Sequence, residues 1–154
     1  MSEKARLDRH ALGRRLTQLA NASAADLVRM PRTPAQAASA KRIGLTGPPG
    51  AGKSTLAGHL ALHRGKARRL GVLAVDPSSP KSGGAILGDR IRMDELAGSA
   101  EIYIRSIGSR SRSDGLSDNL PEMLDVMDEF GFDEVILETV GVGQAEYAAR
   151  AQVD

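Results

Sequence analysis

One short segment constrains the fold of this chain more than any other: Gly47–Ser54 reads Gly-Pro-Pro-Gly-Ala-Gly-Lys-Ser. The spacing matches the phosphate-binding loop G-x-x-x-x-G-K-[ST], which joins a buried strand to the start of a helix. Arg42–Thr46 before the loop is predicted as a short buried strand, and Thr55–Leu62 after it carries apolar residues at helical spacing. The motif therefore lies in the context it requires, and it predicts an α/β fold of the P-loop NTPase class, a mostly parallel sheet flanked by helices.

Each residue type in the loop has a physical role toward a phosphate. Glycine backbone can approach a ligand closely, and the amides of the loop and of the helix N-terminus can donate to an anion. Lys53 supplies a compact positive charge for the β- and γ-phosphates, and the Ser54 hydroxyl can ligate Mg²⁺. The predicted nucleotide-binding residues are Gly47, Pro48, Pro49, Gly50, Ala51, Gly52, Lys53, Ser54 and Thr55.

Composition limits the other classes of function. The chain has 154 residues, of which 41% are hydrophobic and 26% charged, and this suits one globular domain. Aromatic residues make up only 3%, so stacking platforms for nucleic-acid bases are not expected. Cysteine is absent, and no apolar run reaches the roughly 18 residues of a membrane span. We therefore expect a cytoplasmic protein without disulfides, and neither a nucleic acid nor a membrane as partner.

The net charge of +2 is distributed unevenly along the chain. Residues 1–42 hold nine Lys and Arg against three Asp and Glu, whereas residues 43–154 hold twelve against sixteen. A basic arm is compatible with nucleic-acid or membrane contact, but no run of five basic residues occurs. We favour a solvated helical face that packs on an acidic domain or partner.

Hydrophobic periodicity divides the chain into an arm and a β-α-β domain. In the arm it predicts an amphipathic helix over residues 4–20, a short capped helix from Ser23 to about Met30, and a linker over 31–40. In the domain we predict strands at 42–46, 72–75, 101–105 and 135–137, and helices at 53–68, 91–96 and 119–130. The predicted units are therefore residues 1–40, a helical arm and linker, and residues 41–154, a P-loop domain.

Two acidic residues follow buried apolar runs: Asp76 comes after Val72–Val75, and Glu138 after Val135–Leu137. In open α/β sheets ligands bind beyond the carboxyl ends of the strands, so both residues are expected at the edge that carries the phosphate loop. Carboxylates there can hold Mg²⁺ or orient an attacking water; the alternative is a pair of solvated loop acids. Gly141 follows Glu138 at the spacing of a nucleotide switch whose glycine amide senses a γ-phosphate.

Three blocks of sequence, Ala74–Pro80, Ser82–Met93 and Glu138–Gln144, closely resemble the MeaB/ArgK family of P-loop GTPases. Proteins of this family are chaperones of adenosylcobalamin-dependent methylmalonyl-CoA mutase, and the family was long labelled as a lysine/arginine/ornithine transport-system kinase. The resemblance runs from about Leu7 to Asp154. It implies a SIMIBI-type G domain, GTP and Mg²⁺ as cofactors, the mutase as partner, and a homodimer.

The resemblance also implies roles for individual residues by their position. Glu138 would stand near the γ-phosphate and the attacking water, with Gly141 as the phosphate sensor and Asp89 in a switch loop. The implied catalytic residues are Lys53, Asp89 and Glu138. The implied metal ligands are Ser54, Asp76 and Asp89.

The sequence departs from the family pattern at three places. Ala145 stands where a Ser is usual, and residues 109–115 replace a more Gly-rich stretch. The chain also stops at Asp154, well short of the family's usual length and without the Asn-Lys-x-Asp motif that reads the base. The resemblance therefore implies the N-terminal part of a GTPase domain, from a fragment or a truncated gene product, and guanine preference is an implication of the family alone.

Three functions stay open at this level. The first is a GTPase that assists the mutase. The second is an ATP-dependent phosphotransferase, as the older kinase label suggests, although no acceptor-binding signature supports it. The third is a truncated fragment that binds nucleotide without hydrolysing it. Nucleotide titration followed by a hydrolysis assay separates the three.

Overall fold

A computed structural model describes residues 6–31, 39–48, 50–76, 101–108, 119–139 and 149–154. They form helices α1 (Arg9–Asn21), α2 (Ala24–Arg29), α3 (Lys53–Arg64) and α4 (Leu120–Glu129), and strands β1 (Lys41–Leu45), β2 (Leu70–Asp76), β3 (Ile102–Gly108) and β4 (Glu134–Thr139). The strands form a parallel sheet in the order β1-β4-β2-β3. The predicted α/β architecture of a P-loop NTPase is therefore confirmed. None of the helices in these ranges is both long and apolar enough to cross a bilayer.

Local sequence signals located most elements well. All six residues of β4 are buried, as expected for a parallel strand covered on both faces. The strand predicted at 101–105 continues to Gly108, because β3 pairs with β2 along its whole length. α2 begins with the predicted capping box, formed reciprocally by Ser23 and Asp26. The helix predicted at 91–96 lies outside the described residues.

α3 ends at Arg64, earlier than the predicted residue 68. The amide of Gly65 donates to the Ala61 carbonyl at 2.8 Å and closes the last turn. A Cβ built on Gly65 would lie 2.6 Å from that carbonyl oxygen and 2.6 Å from Ile102 Cγ1. This close packing leaves no room for a side chain, and the chain turns here toward β2.

The N-terminal arm packs into the same core as the sheet. α1 begins at Arg9 and not at residue 4, because the Asp8 carboxylate accepts a backbone amide of the first turn at 2.9 Å and caps the helix. The apolar face of α1 is buried with α4 and the sheet through Leu12, Leu16 and Leu19. The arm is therefore held by the same hydrophobic contacts that hold the domain.

Polar side chains of the domain add specific anchors to the arm. Arg105 of β3 donates to a carbonyl in the middle of α1 at 3.0 Å, and Asn119 donates to the Leu19 carbonyl at 2.5 Å. Arg15 forms an ion pair at 3.1 Å with Glu129 of α4, a helix that carries four acidic residues. The basic arm therefore packs on an acidic helix, in agreement with the interpretation of the charge distribution.

The hydrophobic core lies on both faces of the sheet. α1 and α4 cover one face, and α3 covers the other with the small side chains of Ala57 and Ala61. On the α4 face, a side chain at Gly71 would overlap the end of Met127 and lie 3.3 Å from Phe132. Gly71 therefore allows α4 and the turn after it to lie close to β2.

Candidate functional site

The segment Gly47–Ser54 joins β1 to α3 at the carboxyl edge of the sheet. Gly50 and Gly52 have φ angles of 78° and 82°, in the left-handed region that favours glycine. Among the described residues, no atom lies within 4 Å of a Cβ built at either position, so the backbone conformation is the reason for glycine there. Gly52 is also the N-cap of α3, which places the first amides of the helix directly beside the loop.

Lys53, the first residue of α3, lies across the phosphate loop. Its Nζ donates to the Pro48 carbonyl at 2.9 Å, and its side chain is half-buried. The Lys53 Cδ lies 3.6 Å from a Cβ built on Gly47, so the lysine stem packs against the start of the loop. A phosphate bound by the loop amides would therefore meet a positive charge on the same surface.

Ser54 and Glu138 meet at the carboxyl edge of the sheet. In the strand register Glu138 lies between Leu45 of β1 and Ala74 of β2. The Ser54 hydroxyl donates to Glu138 Oε1 at 2.5 Å. Glu138 is only 9% exposed, and its Oε2 is buried with no hydrogen-bond partner among the described residues. An unpaired buried carboxylate oxygen is costly, so this atom is suited to accept a donor or a cation.

The remaining predicted site residues lie at different places. Asp76 ends β2 at the same carboxyl edge, opposite Gly108 in the strand register. Thr55 is exposed in the first turn of α3. Within the described ranges, no three His, Cys, Asp or Glu side chains come together as a metal-binding group. Outside these ranges lie Pro49, Asp89 and Gly141, whose roles stay predictions.

The sequence motifs did not indicate a direct contact between Ser54 and Glu138. Sequence patterns assigned Ser54 to the metal and Glu138 to hydrolysis, as separate functions. The structure brings the two side chains within hydrogen-bond distance. The sequence signal was the position of Glu138 directly after a buried apolar run, which predicts the carboxyl edge of the sheet. The parallel pairing of β1 with β4, seen only in the structure, places the end of β4 beside the start of the loop.

A second carboxylate is buried at the opposite, amino end of β4. Glu134 is 1% exposed, accepts two hydrogen bonds from Arg64 at 2.5 Å each, and accepts a third from Arg68. Hydrogen bonds from Arg64 in the first place, and from Arg68, lower the pKa of Glu134 to about 2, although burial acts in the opposite direction. Arg64 and Glu134 are 70 positions apart in the sequence, so no local pattern indicated this cluster.

Residues 12–154 match the family described as methylmalonyl Co-A mutase-associated GTPase MeaB. This chain belongs to the MeaB family. The resemblance found in the sequence is therefore confirmed, and the family is one of GTPases associated with a mutase.

Individual relatives agree with this assignment. The chain is 41% identical over 143 residues to a Pyrococcus horikoshii protein named as a candidate GTPase, and 45% identical over 116 residues to the GTPase ArgK of Escherichia coli. It is 45% identical over 119 residues to the fused isobutyryl-CoA mutase of Paraburkholderia xenovorans. The three matches cover 90%, 73% and 73% of this chain and 44%, 34% and 9% of the relatives, respectively. The chain thus spans less than half the length of each of these relatives.

Proposed function

We propose that this chain forms the phosphate- and Mg²⁺-binding part of a GTPase that hydrolyses GTP and assists an adenosylcobalamin-dependent acyl-CoA mutase, methylmalonyl-CoA mutase. The observation that carries the proposal is the 2.5 Å contact between the Ser54 hydroxyl and Glu138 beside the phosphate loop. A loop hydroxyl and an acidic residue at a neighbouring strand end are the pair with which P-loop NTPases hold Mg²⁺. The family description and the name of the fused isobutyryl-CoA mutase support a mutase as partner.

The residues at this edge fit a bound Mg²⁺. The buried Oε2 of Glu138 has no partner among the described residues, and Ser54 offers a second hard oxygen beside it. Mg²⁺ is usually bound by one or two protein oxygens together with substrate phosphates and several waters. A bound Mg²⁺ would neutralise part of the phosphate charge. We propose Asp76 and Asp89 as further residues of the metal site.

Side chains and backbone amides of this chain would provide the other contacts to the phosphates. Loop amides and the N-terminal amides of α3 would donate to the phosphate oxygens, and Lys53 would exchange the Pro48 carbonyl for a charged phosphate oxygen, which is the stronger acceptor. Glu138 would hold the Ser54 hydroxyl in a fixed orientation. Asp89 and Gly141 are proposed to act in hydrolysis and in sensing the γ-phosphate.

Other properties of the whole protein are part of the same proposal. We propose a homodimer located in the cytoplasm, with an arm of residues 1–40 and a GTPase domain that begins at residue 41. The fused mutase among the relatives, in which a similar sequence belongs to one polypeptide with a mutase, supports a direct physical association with that enzyme.

The test of the proposed function is Mg²⁺-dependent GTP binding by Ser54→Ala. A fluorescent GTP analogue is titrated into the unaltered chain and the variant, in Mg²⁺ and in EDTA. We expect the affinity gained from Mg²⁺ to fall by about 10-fold or more in Ser54→Ala, because a metal ligand is lost, while the affinity in EDTA stays the same. Ser39→Ala is the control, since Ser39 is an exposed serine outside the loop. An unchanged Mg²⁺ dependence in Ser54→Ala would contradict the proposal.

A further inference from the structure

α3 is fixed to β4 at both of its ends. At its start Ser54 donates to Glu138, and at its last residue Arg64 donates twice to Glu134. Both acceptors are carboxylates of the same strand, and they are 9% and 1% exposed. The helix is therefore joined to one strand by side-chain contacts at opposite edges of the sheet.

The lengths of the helix and the strand between these contacts match. The helical rise from Ser54 to Arg64 is about 15 Å, and the strand from Glu138 back to Glu134 covers about 13 Å. The helix leads from the carboxyl edge of the sheet back to the amino edge, so each contact joins residues that face each other. Sliding α3 along β4 by one helical residue would disrupt both contacts.

The strand β4 is a central strand of the sheet, and between the two contacts α3 packs on the sheet with small buried side chains and with the partly buried Leu60. β4 lies between β1 and β2 and is buried at every position. The buried residues of α3 are all small: Ala57, Gly58 and Ala61. The polar contacts at the two ends therefore act together with the packing of Leu60 to fix the position of the helix along the strand.

We propose that Arg64 is a positioning residue for the nucleotide site, because through α3 it fixes the place of Ser54 relative to Glu138. The proposal rests on the proposed function above, and it gives a role at that site to a side chain at the far end of the helix. Arg68 provides a contrast, since it bonds the same carboxylate from the turn that follows α3.

The test compares Arg64→Ala with Arg68→Ala. Each variant leaves Glu134 with one guanidinium partner, so both are expected to fold, with the larger loss of stability in Arg64→Ala because it removes two of the three hydrogen bonds to Glu134. Only Arg64→Ala removes the contact between the last residue of α3 and Glu134 of β4. We expect the Mg²⁺-dependent gain in GTP affinity to fall about 10-fold in Arg64→Ala, the order of effect of losing a residue that orients a metal ligand. Arg68→Ala should keep this gain, and Arg64→Lys, which retains one charged donor, should lie between.

A second measurement needs no nucleotide. Hydrogen exchange of the backbone amides in the first two turns of α3 is followed by mass spectrometry in both alanine variants. We expect faster exchange there in Arg64→Ala than in Arg68→Ala. Equal exchange and equal GTP affinity in the two variants would overturn the proposal and leave Arg64 with a structural role alone. If the unaltered chain shows no Mg²⁺-dependent GTP binding, the proposed function fails, and the exchange comparison still decides whether Arg64 positions Ser54.

Discussion

Replacing Glu134 with Gln removes one buried charge and nearly preserves the shape of the side chain. The native carboxylate is 1% exposed, and Arg64 and Arg68 hold its pKa at about 2, against an ordinary value of 4.5. A lowering of this size corresponds to about 3 kcal/mol of folding free energy. The two guanidinium groups keep side-chain exposures of 33% and 50%, so water can partly solvate them after the substitution. We therefore expect Glu134→Gln to lower the free energy of unfolding by about 2–3 kcal/mol at neutral pH.

The pH dependence identifies the charge as the cause. Folding lowers the pKa of Glu134, so its contribution is present in full above pH 4.5 and is lost as the pH falls toward 2. Urea unfolding of the native chain and of Glu134→Gln should therefore differ in full at about pH 7 and converge only as the pH approaches about 2. Asp125→Asn is the control, because the Asp125 side chain is 72% exposed and its ion pair with Arg42 is long, so the substitution should change stability little at either pH. An equal loss in Glu134→Gln at both pH values would refute the electrostatic explanation.

Three further predictions concern the loop, the acidic residue beside it and two glycines. Lys53→Ala should weaken triphosphate binding by about 2 kcal/mol, as expected when a charged donor is lost, and an unchanged dissociation constant in a titration would exclude Lys53 from the phosphate site. Glu138→Gln should lower the kcat of GTP hydrolysis by about 100-fold while GTP still binds in EDTA; native turnover would assign Glu138 a structural role. Gly65→Ala should destabilise the protein by about 2 kcal/mol in urea unfolding, because its Cβ meets a backbone carbonyl and Ile102. Gly13 lies in the middle of α1, where a new Cβ would be 3.6 Å from the Tyr103 hydroxyl, so Gly13→Ala should stabilise the protein by about 0.5–1 kcal/mol. If Gly65→Ala proved more stable than Gly13→Ala, close packing at Gly65 would be refuted.

Local sequence signals predicted the presence and type of the helices and strands better than the residues at which they begin and end. The apolar runs Val72–Val75 and Val135–Leu137 predicted β2 and β4, because strands covered on both faces of a parallel sheet carry continuous apolar runs. The strand before the phosphate loop, β1, was also predicted, but the expectation that it is buried was wrong, since its residues are exposed or partly exposed. The Ser23 capping box was also predicted, since it depends on residues three positions apart. The predicted end of α3 was four residues too late. The packing of Gly65 on Ile102 joins parts of the chain that are distant in sequence, so no local pattern indicated it.

The same distinction applies to the candidate site. The phosphate loop could be predicted because its residues are contiguous, and the register of β1 and β4 that brings Glu138 to Ser54 could not. The cluster around Glu134 had no sequence signal, since an arginine and a glutamate far apart in the chain are ordinary surface residues until the fold joins them. Long-range contacts are therefore the part of the site that only the three-dimensional structure supplies.

The close packing of Gly71 against Met127 has a consequence for the evolution of this sequence. The two positions share one small volume between β2 and α4, so a side chain at 71 requires a shorter one at 127. Among related sequences, residues at these two positions should therefore vary as a pair, with Ala or Ser at 71 accompanied by Val, Ala or another short residue at 127. A substitution at 71 alone would be selected against through loss of folded protein, even though this pair lies away from the phosphate loop.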